Sequence, residues 1–226
     1  EIKGGNSGVD GIGSWNAGVG GRVIESEDSG DAGLGEKPAE TLFKTGDVGG
    51  EVWEGTVRVK DYVFVQEGKT LKIKPGAKIL FSACRDYRGS CNRAAIEVNG
   101  RLEAVGTPEK PIIFTSDAPK PQNGDWSMIR LIGKAKSRIS YAVVEFGQQG
   151  VNMWNSDAAL DHLVVRWNNW EGLYAESYSN PKIEYSRIYQ NGYNGMALEQ
   201  FNDAELNYNL FSQSGTNGLH VDASKV

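Results

Sequence analysis

Gly150, Gly172, Gly195 and Gly218 stand 22, 23 and 23 residues apart. Each is followed by an apolar–x–apolar triplet: Val151-Asn152-Met153, Leu173-Tyr174-Ala175, Met196-Ala197-Leu198 and Leu219-His220-Val221. After each of the first three comes a second strand pattern, Leu160…Leu163-x-Val165, Ile183…Ser186-x-Ile188 and Leu206…Asn209-x-Phe211. Asn168 and Asn191 each stand four residues before a repeat glycine. A fixed period in this range marks a solenoid. At ~3.3 Å per strand residue, one repeat suffices for two or three short strands with turns, and stacked coils lie ~4.8 Å apart. Equivalent residues then form columns, and a buried Asn at a turn can bond the backbone of the next coil.

Upstream, from Trp53, the chain is a series of short β-branched runs split by Gly, Pro and Asn. Val57-Arg58-Val59, Leu71-Lys72-Ile73, Ile79-Leu80-Phe81, Ile96-Glu97-Val98 and Ile112-Ile113-Phe114 are examples. Apolar residues flank an outward one, as in a strand with one buried face, and no segment carries a helical period. The expected fold is an all-β solenoid over residues 45–226, a single-stranded parallel β-helix. Residues 1–44 are read as a Gly-rich extended arm or cap, since 14 of the 29 glycines fall in the first 50 residues and Gly pairs interrupt elements. Within the arm, Glu25, Glu27, Asp28 and Asp31 form an acidic cluster. Such oxygen-rich clusters can hold Ca²⁺, but the spacing is not that of an EF-hand, and a solvated acidic loop is the plainer reading.

The formal charge of −5 argues against nucleic acid as a partner, because phosphate binding wants a basic face. No apolar run approaches the ~20 residues of a membrane span. The sequence begins at Glu1 without a basic stretch and apolar segment, so no signal peptide is expected within it; one removed earlier is compatible with export. Cys84 and Cys91 flank a polar, Gly-containing stretch that can close a small disulfide ring, with free thiols as the alternative. A disulfide points to an oxidising compartment, hence an extracellular or cell-surface location.

Three stretches carry a family resemblance: Gly68-Lys69-Thr70-Leu71-Lys72-Ile73-Lys74-Pro75-Gly76-Ala77-Lys78-Ile79; Val98-Asn99-Gly100-Arg101-Leu102-Glu103-Ala104-Val105-Gly106-Thr107; and Pro111-Ile112-Ile113-Phe114-Thr115-Ser116 with Gly124-Asp125-Trp126 after it. Over about residues 53–224 the chain resembles the right-handed parallel β-helix proteins of the pectin-lyase-like superfamily, especially exported, surface-associated ones. The resemblance implies the fold and its handedness. It leaves activity open, because that superfamily hosts lyases, hydrolases, adhesins and structural proteins. Its hydrolases commonly show Gly-His-Gly and Arg-Ile-Lys motifs, and neither occurs here. Ala159-Leu160-Asp161-His162 resembles a Trp-Ile-Asp-His stretch of pectate lyases, but the tryptophan is missing and no matching arginine can be assigned.

The repeat register puts Trp154, Glu176, Glu199 and Asp222 in one outward column, beside Asn152, Tyr174, Ala197 and His220. Stacked carboxylates repel, so at least one is expected to hold its proton more tightly. A raised and an ordinary carboxylate on adjacent rungs suit retaining glycoside chemistry; the same column can instead bind Ca²⁺. Trp154 and Tyr174 can stack on sugar rings. The plain alternative is a polar outer face that keeps the sheet soluble. Tyr141, His162, Tyr185 and Tyr208 form another column, read as a structural ring stack. Trp167, Trp170, Tyr189 and Tyr193 fall in turns, either as a sticky lateral surface or as corner shields.

The expected function is a non-catalytic extracellular or cell-surface scaffold without a cofactor. Its partner is a polysaccharide or copies of itself, since the last repeat strand has no evident cap. A chain that is a fragment of a longer solenoid would look the same. The alternative is a polysaccharide lyase or glycoside hydrolase, with Glu176, Glu199 and Asp222 as candidate catalytic residues and Trp154, Tyr174 and His220 as binding partners.

Overall fold

The computed structural model describes residues 42–86, 91–199 and 202–222. The arm at residues 1–41, with Glu25, Glu27, Asp28 and Asp31, lies outside the described residues. Every regular element described is a strand. β1 (Leu42–Asp47), β2 (Val52–Trp53) and the long β3 (Thr56–Val65) come first. β4 (Thr70–Ile73), β5 (Lys78–Phe81) and β6 (Ala95–Val98) make the next coil. β7 (Arg101–Val105), β8 (Ile112–Ser116) and β9 (Ile129–Ile132) make another. β10 (Arg138–Glu145) with β11 (Val151–Trp154), and β12 (Ala159–Arg166) with β13 (Leu173–Glu176), make two more. β14 (Lys182–Glu184), β15 (Arg187–Tyr189) and β16 (Met196–Leu198) follow, then β17 (Glu205–Asn207), β18 (Leu210–Ser212) and β19 (Leu219–Val221).

Every pairing between these strands is parallel, and the strands sort into three sheets. Sheet A runs β2, β4, β7, the first half of β10, the first half of β12, β14 and β17. Sheet B runs from the first half of β3 through β5, β8 and the second halves of β10 and β12 to β15 and β18. Sheet C runs from the second half of β3 through β6, β9, β11, β13 and β16 to β19. The core is the column of apolar residues inside this triangle, from Trp53 to Leu198. β1 already lies in parallel register with β3 from Leu42, so the coil begins slightly before the expected boundary at 45.

The repeat glycines are vertical neighbours: the Val151, Leu173 and Met196 N–H groups donate to the Gly172, Gly195 and Gly218 carbonyls at 3.0, 3.0 and 2.9 Å. The close approach explains the residue. A Cβ on Gly150 would lie 2.3 Å from the Gly172 oxygen, and one on Gly195 2.4 Å from the Gly218 oxygen. A side chain there would push coils apart.

The corners turn on single residues in the left-handed region. Tyr141, His162, Tyr185 and Tyr208, between sheets A and B, have φ of 48°, 53°, 50° and 54°. Such conformations cost non-glycine residues ~1–2 kcal/mol each. The expected ring stack offsets that cost: centroids are 4.3, 5.1 and 5.0 Å apart down the column.

Buried amides and hydroxyls thread the corners. Asn168 accepts the Gly147 N–H at 2.9 Å, and its own N–H donates to Asn191 Oδ1 at 3.1 Å. Ser179 and Ser186 accept the Ser156 and Leu163 N–H groups, both at 3.0 Å. Each ladder satisfies backbone groups that a bend removes from the sheet.

Candidate functional site

Sheet C carries the outward column expected from the repeat. Trp154 lies in register with Glu176 and with Ile132 below it. Glu199 and Asp222 continue the row, since their N–H groups donate to the Ala175 and Leu198 carbonyls at 3.0 and 2.9 Å. The neighbouring column is Glu97, Arg130, Asn152, Tyr174, Ala197 and His220.

The carboxylates do not form a bare repelling stack. Glu176 accepts from Asn152 Nδ2 at 3.0 Å and lies 3.9 Å from Arg130. Arg130 also sits over the Trp154 ring, 4.5 Å from its centroid. Glu199 accepts a hydrogen bond from the Tyr174 hydroxyl. That hydroxyl is held well above the ordinary phenol range, by burial first, then by the bond to Glu199 and the charges of Glu199, Glu176 and Glu171. Two buried atoms on adjacent rungs of this column have no partner: the donor Arg130 Nε and the acceptor Asn152 Oδ1. His220 is exposed on the last described rung. Among the described residues, no group of three or more His, Cys, Asp or Glu side chains is placed to hold a metal ion.

An opening at this face is displaced from the expected row toward the corner between sheets B and C. It is a groove of about 410 Å³ lined by Gln149, Trp170, Glu171, Tyr174 and Tyr193. Two columns build it. Tyr193 N–H donates to the Trp170 carbonyl at 3.1 Å, and Trp170 N–H to the Gln148 carbonyl at 2.8 Å, so the two rings come from successive coils. Trp170 is 51% exposed and Tyr193 53%. Beside them runs a polar ladder, buried from Gln149 through Asn194. Gln149 Nε2 donates to Glu171 Oε2 at 2.9 Å, Asn194 Nδ2 to Glu171 Oε1 at 3.4 Å, and Asn217 Nδ2 to Asn194 Oδ1 at 3.1 Å. Of the expected binding row only Tyr174 lines this groove, and Trp170 and Tyr193 come from the turn aromatics read as a sticky lateral surface or corner shields. The others are positions just before the repeat glycines: Trp170 and Tyr193 two residues before, Gln149 and Glu171 one before. That register was available as a signal, but it falls in a turn, where side-chain direction does not follow strand alternation.

Asp161 and His162 occupy the sheet A–B corner instead. Asp161 accepts from Ser140 Oγ at 2.5 Å and from Arg138 Nη2 at 3.2 Å, and lies 3.0 Å from His162 Nδ1. Burial opposes its charge, yet the bonds from Ser140 and His162 and the nearby Arg138 hold its carboxyl below the usual range. His162 is clamped between the Tyr141 and Tyr185 rings, which fits a structural role.

Cys84 and Cys91 form a disulfide with Cα atoms 5.8 Å apart. Next to it, Arg85 reaches Asp125 through Nε at 2.5 Å and Nη2 at 2.9 Å. No helix among the described residues is long and apolar enough to cross a membrane.

Comparison with known families agrees with this geometry. A model of the pectate-lyase-like β-helix domain matches residues 52–152. A model of the right-handed β-helix region matches residues 122–226. No curated protein and no solved structure gives a significant match.

Proposed function

From the premise that this chain is a pectin-lyase-like, right-handed parallel β-helix protein, we propose that it is a non-catalytic, polysaccharide-binding scaffold acting outside the cytoplasm. The groove lined by Gln149, Trp170, Glu171, Tyr174 and Tyr193 carries the reading. Exposed aromatic faces suit the apolar faces of sugar rings, and a few fixed polar groups orient the hydroxyls. Because the lining comes from successive coils, with Trp170 and Tyr193 on adjacent rungs, the groove runs along the solenoid axis and suits a chain of sugar units. The disulfide supports an oxidising location.

The test is binding of purified protein to a panel of soluble polysaccharides by affinity electrophoresis or calorimetry. Trp170→Ala is expected to weaken binding of the preferred glycan about tenfold or more, the effect of losing 1.4 kcal/mol or more. Binding to none of the panel would end the proposal.

A lyase or glycoside hydrolase is the second reading, favoured by Glu176 and Glu199 on consecutive rungs, a separation compatible with retaining chemistry. Against it stands the engagement of each by Arg130, Asn152 or Tyr174. Release of new reducing or unsaturated ends from the panel, with and without Ca²⁺, abolished by Glu176→Gln or Glu199→Gln, would replace the scaffold reading. Association with further copies rests on the last described coil, where Leu210, Leu219 and Val221 are 49%, 39% and 55% exposed. Light scattering across a dilution series checks it.

A further inference from the structure

Glu171 is the least expected group in the groove. It is only 8% exposed. Its two oxygens are met by amides, Gln149 Nε2 at 2.9 Å and Asn194 Nδ2 at 3.4 Å. No ion pair among the described residues includes it. A carboxylate removed from water without a cation is costly, and the amide ladder supplies only dipoles. A positive charge is the kind of partner that neither amide supplies.

The surroundings are built for one. Trp170, Tyr174 and Tyr193 stand around the same opening, and aromatic faces attract cations through their quadrupole. The charges of Glu199, Glu176 and Glu171 all act on the Tyr174 hydroxyl, so three negative fields converge on this wall. Arg130, a cation on this face, is engaged elsewhere, against Glu176 and the Trp154 ring. A polyuronate would bring its carboxylates against those three acids.

We infer that this groove takes a glycan bearing free, protonated amino groups, with Glu171 as counter-ion and Trp170, Tyr174 and Tyr193 as cation–π walls. The inference rests on the polysaccharide-binding reading and adds the charge class of the sugar.

Calorimetry of the full chain, wild type and Glu171→Gln, against three probes tests it: glucosamine oligomers, the same oligomers N-acetylated, and polygalacturonate. Tetramethylammonium is a fourth probe. The expected result is about tenfold or greater preference for the free amine over the acetylated oligomer, a difference of ~1.4 kcal/mol or more. Raised salt should diminish that preference. Polygalacturonate should not bind. Glu171→Gln, nearly isosteric, should remove the preference by weakening the free amine oligomer far more than the acetylated one, with a cooperative melting transition in free protein as the fold control.

Equal affinity for free and acetylated oligomers, or a preference that survives Glu171→Gln, overturns the inference while leaving sugar binding intact. Tetramethylammonium binding as tightly as the oligomer assigns the pocket to a small ammonium compound and also overturns it. Failure of all glycans to bind, or binding indifferent to Trp170→Ala, overturns the underlying reading as well.

Discussion

The solenoid has two halves built by different means. From β4 to β10 the coils are wide and irregular: Lys72 pairs with Glu103, 31 residues on, and Glu103 with Arg138, 35 residues on. From β10 onward they are tight: Arg138, Ala159, Lys182 and Glu205 follow one another at 21, 23 and 23 residues. The wide coils hold the large core side chains, with Phe81 and Trp126 stacked at 4.0 Å and both fully buried. They also hold the loops that carry the disulfide and the Arg85–Asp125 pair. The tight coils hold the ladders of Asn, Ser and stacked rings. A loop insertion is tolerated where a coil is anchored by a broad apolar plug. Where the plug thins, each coil depends on polar columns that demand one register.

The largest effect should come from removing the plug. Trp126→Ala deletes a buried indole and leaves the Glu145 carbonyl, 2.9 Å from its Nε1, without its donor. The expected loss is ~4 kcal/mol, read from denaturant unfolding. A loss below ~1 kcal/mol would show that the wide coils do not depend on it.

Next is the pair of exposed Arg85 with buried Asp125. Arg85→Ala leaves Asp125 with Ser116 and the Gln122 N–H alone, and should lower stability in the same denaturant unfolding, because a buried carboxylate loses its cation. Asp125 is held below the usual carboxylate range: burial opposes its ionisation, but Arg85, Ser116 and Gln122 outweigh it. Its contribution is therefore fully present above the unfolded value of ~4 and lost as pH falls through the depressed folded value. Melting temperature measured from about pH 6 to 2 should fall on the acid side, and in Arg85→Ala that fall should begin at higher pH.

In the tight half, Asn168→Ala removes the acceptor for Gly147 N–H and the donor to Asn191 Oδ1. A loss of ~2 kcal/mol is expected, with faster amide exchange at Gly147 as the local readout. The smallest change belongs to the outer rings. Tyr208, 75% exposed with φ of 54°, stacks on Tyr185 alone among the described rings. Tyr208→Gly loses about 1 kcal/mol of stacking and relieves a left-handed strain of similar size, so thermal melting should change little. A large loss at Tyr208 beside a small one at Trp126 would invert the comparison.

Legibility follows the same division. In the tight half, four glycines and one aromatic column announced the register, because coils without insertions return equivalent residues at a constant interval. In the wide half the strands were readable as short alternating runs, but the coil length was not, since the stretches after Phe81 and Ser116 break the interval. At the site, the row Trp154, Glu176, Glu199 and Asp222 was legible from strand alternation. The engagement of Glu176 by Arg130 was not, because Arg130 belongs to the coil before the visible repeat begins.

By itself, the amino-acid sequence determined the parallel coil, the period of its second half, the inward residues and the ring column, since all of these follow from residue type repeated at a fixed spacing. Only the tertiary structure decided where the groove lies and which buried acid lacks a cation. Those depend on how left-handed corner residues aim Trp170, Glu171 and Tyr193, and on which side chains of neighbouring coils reach one another first.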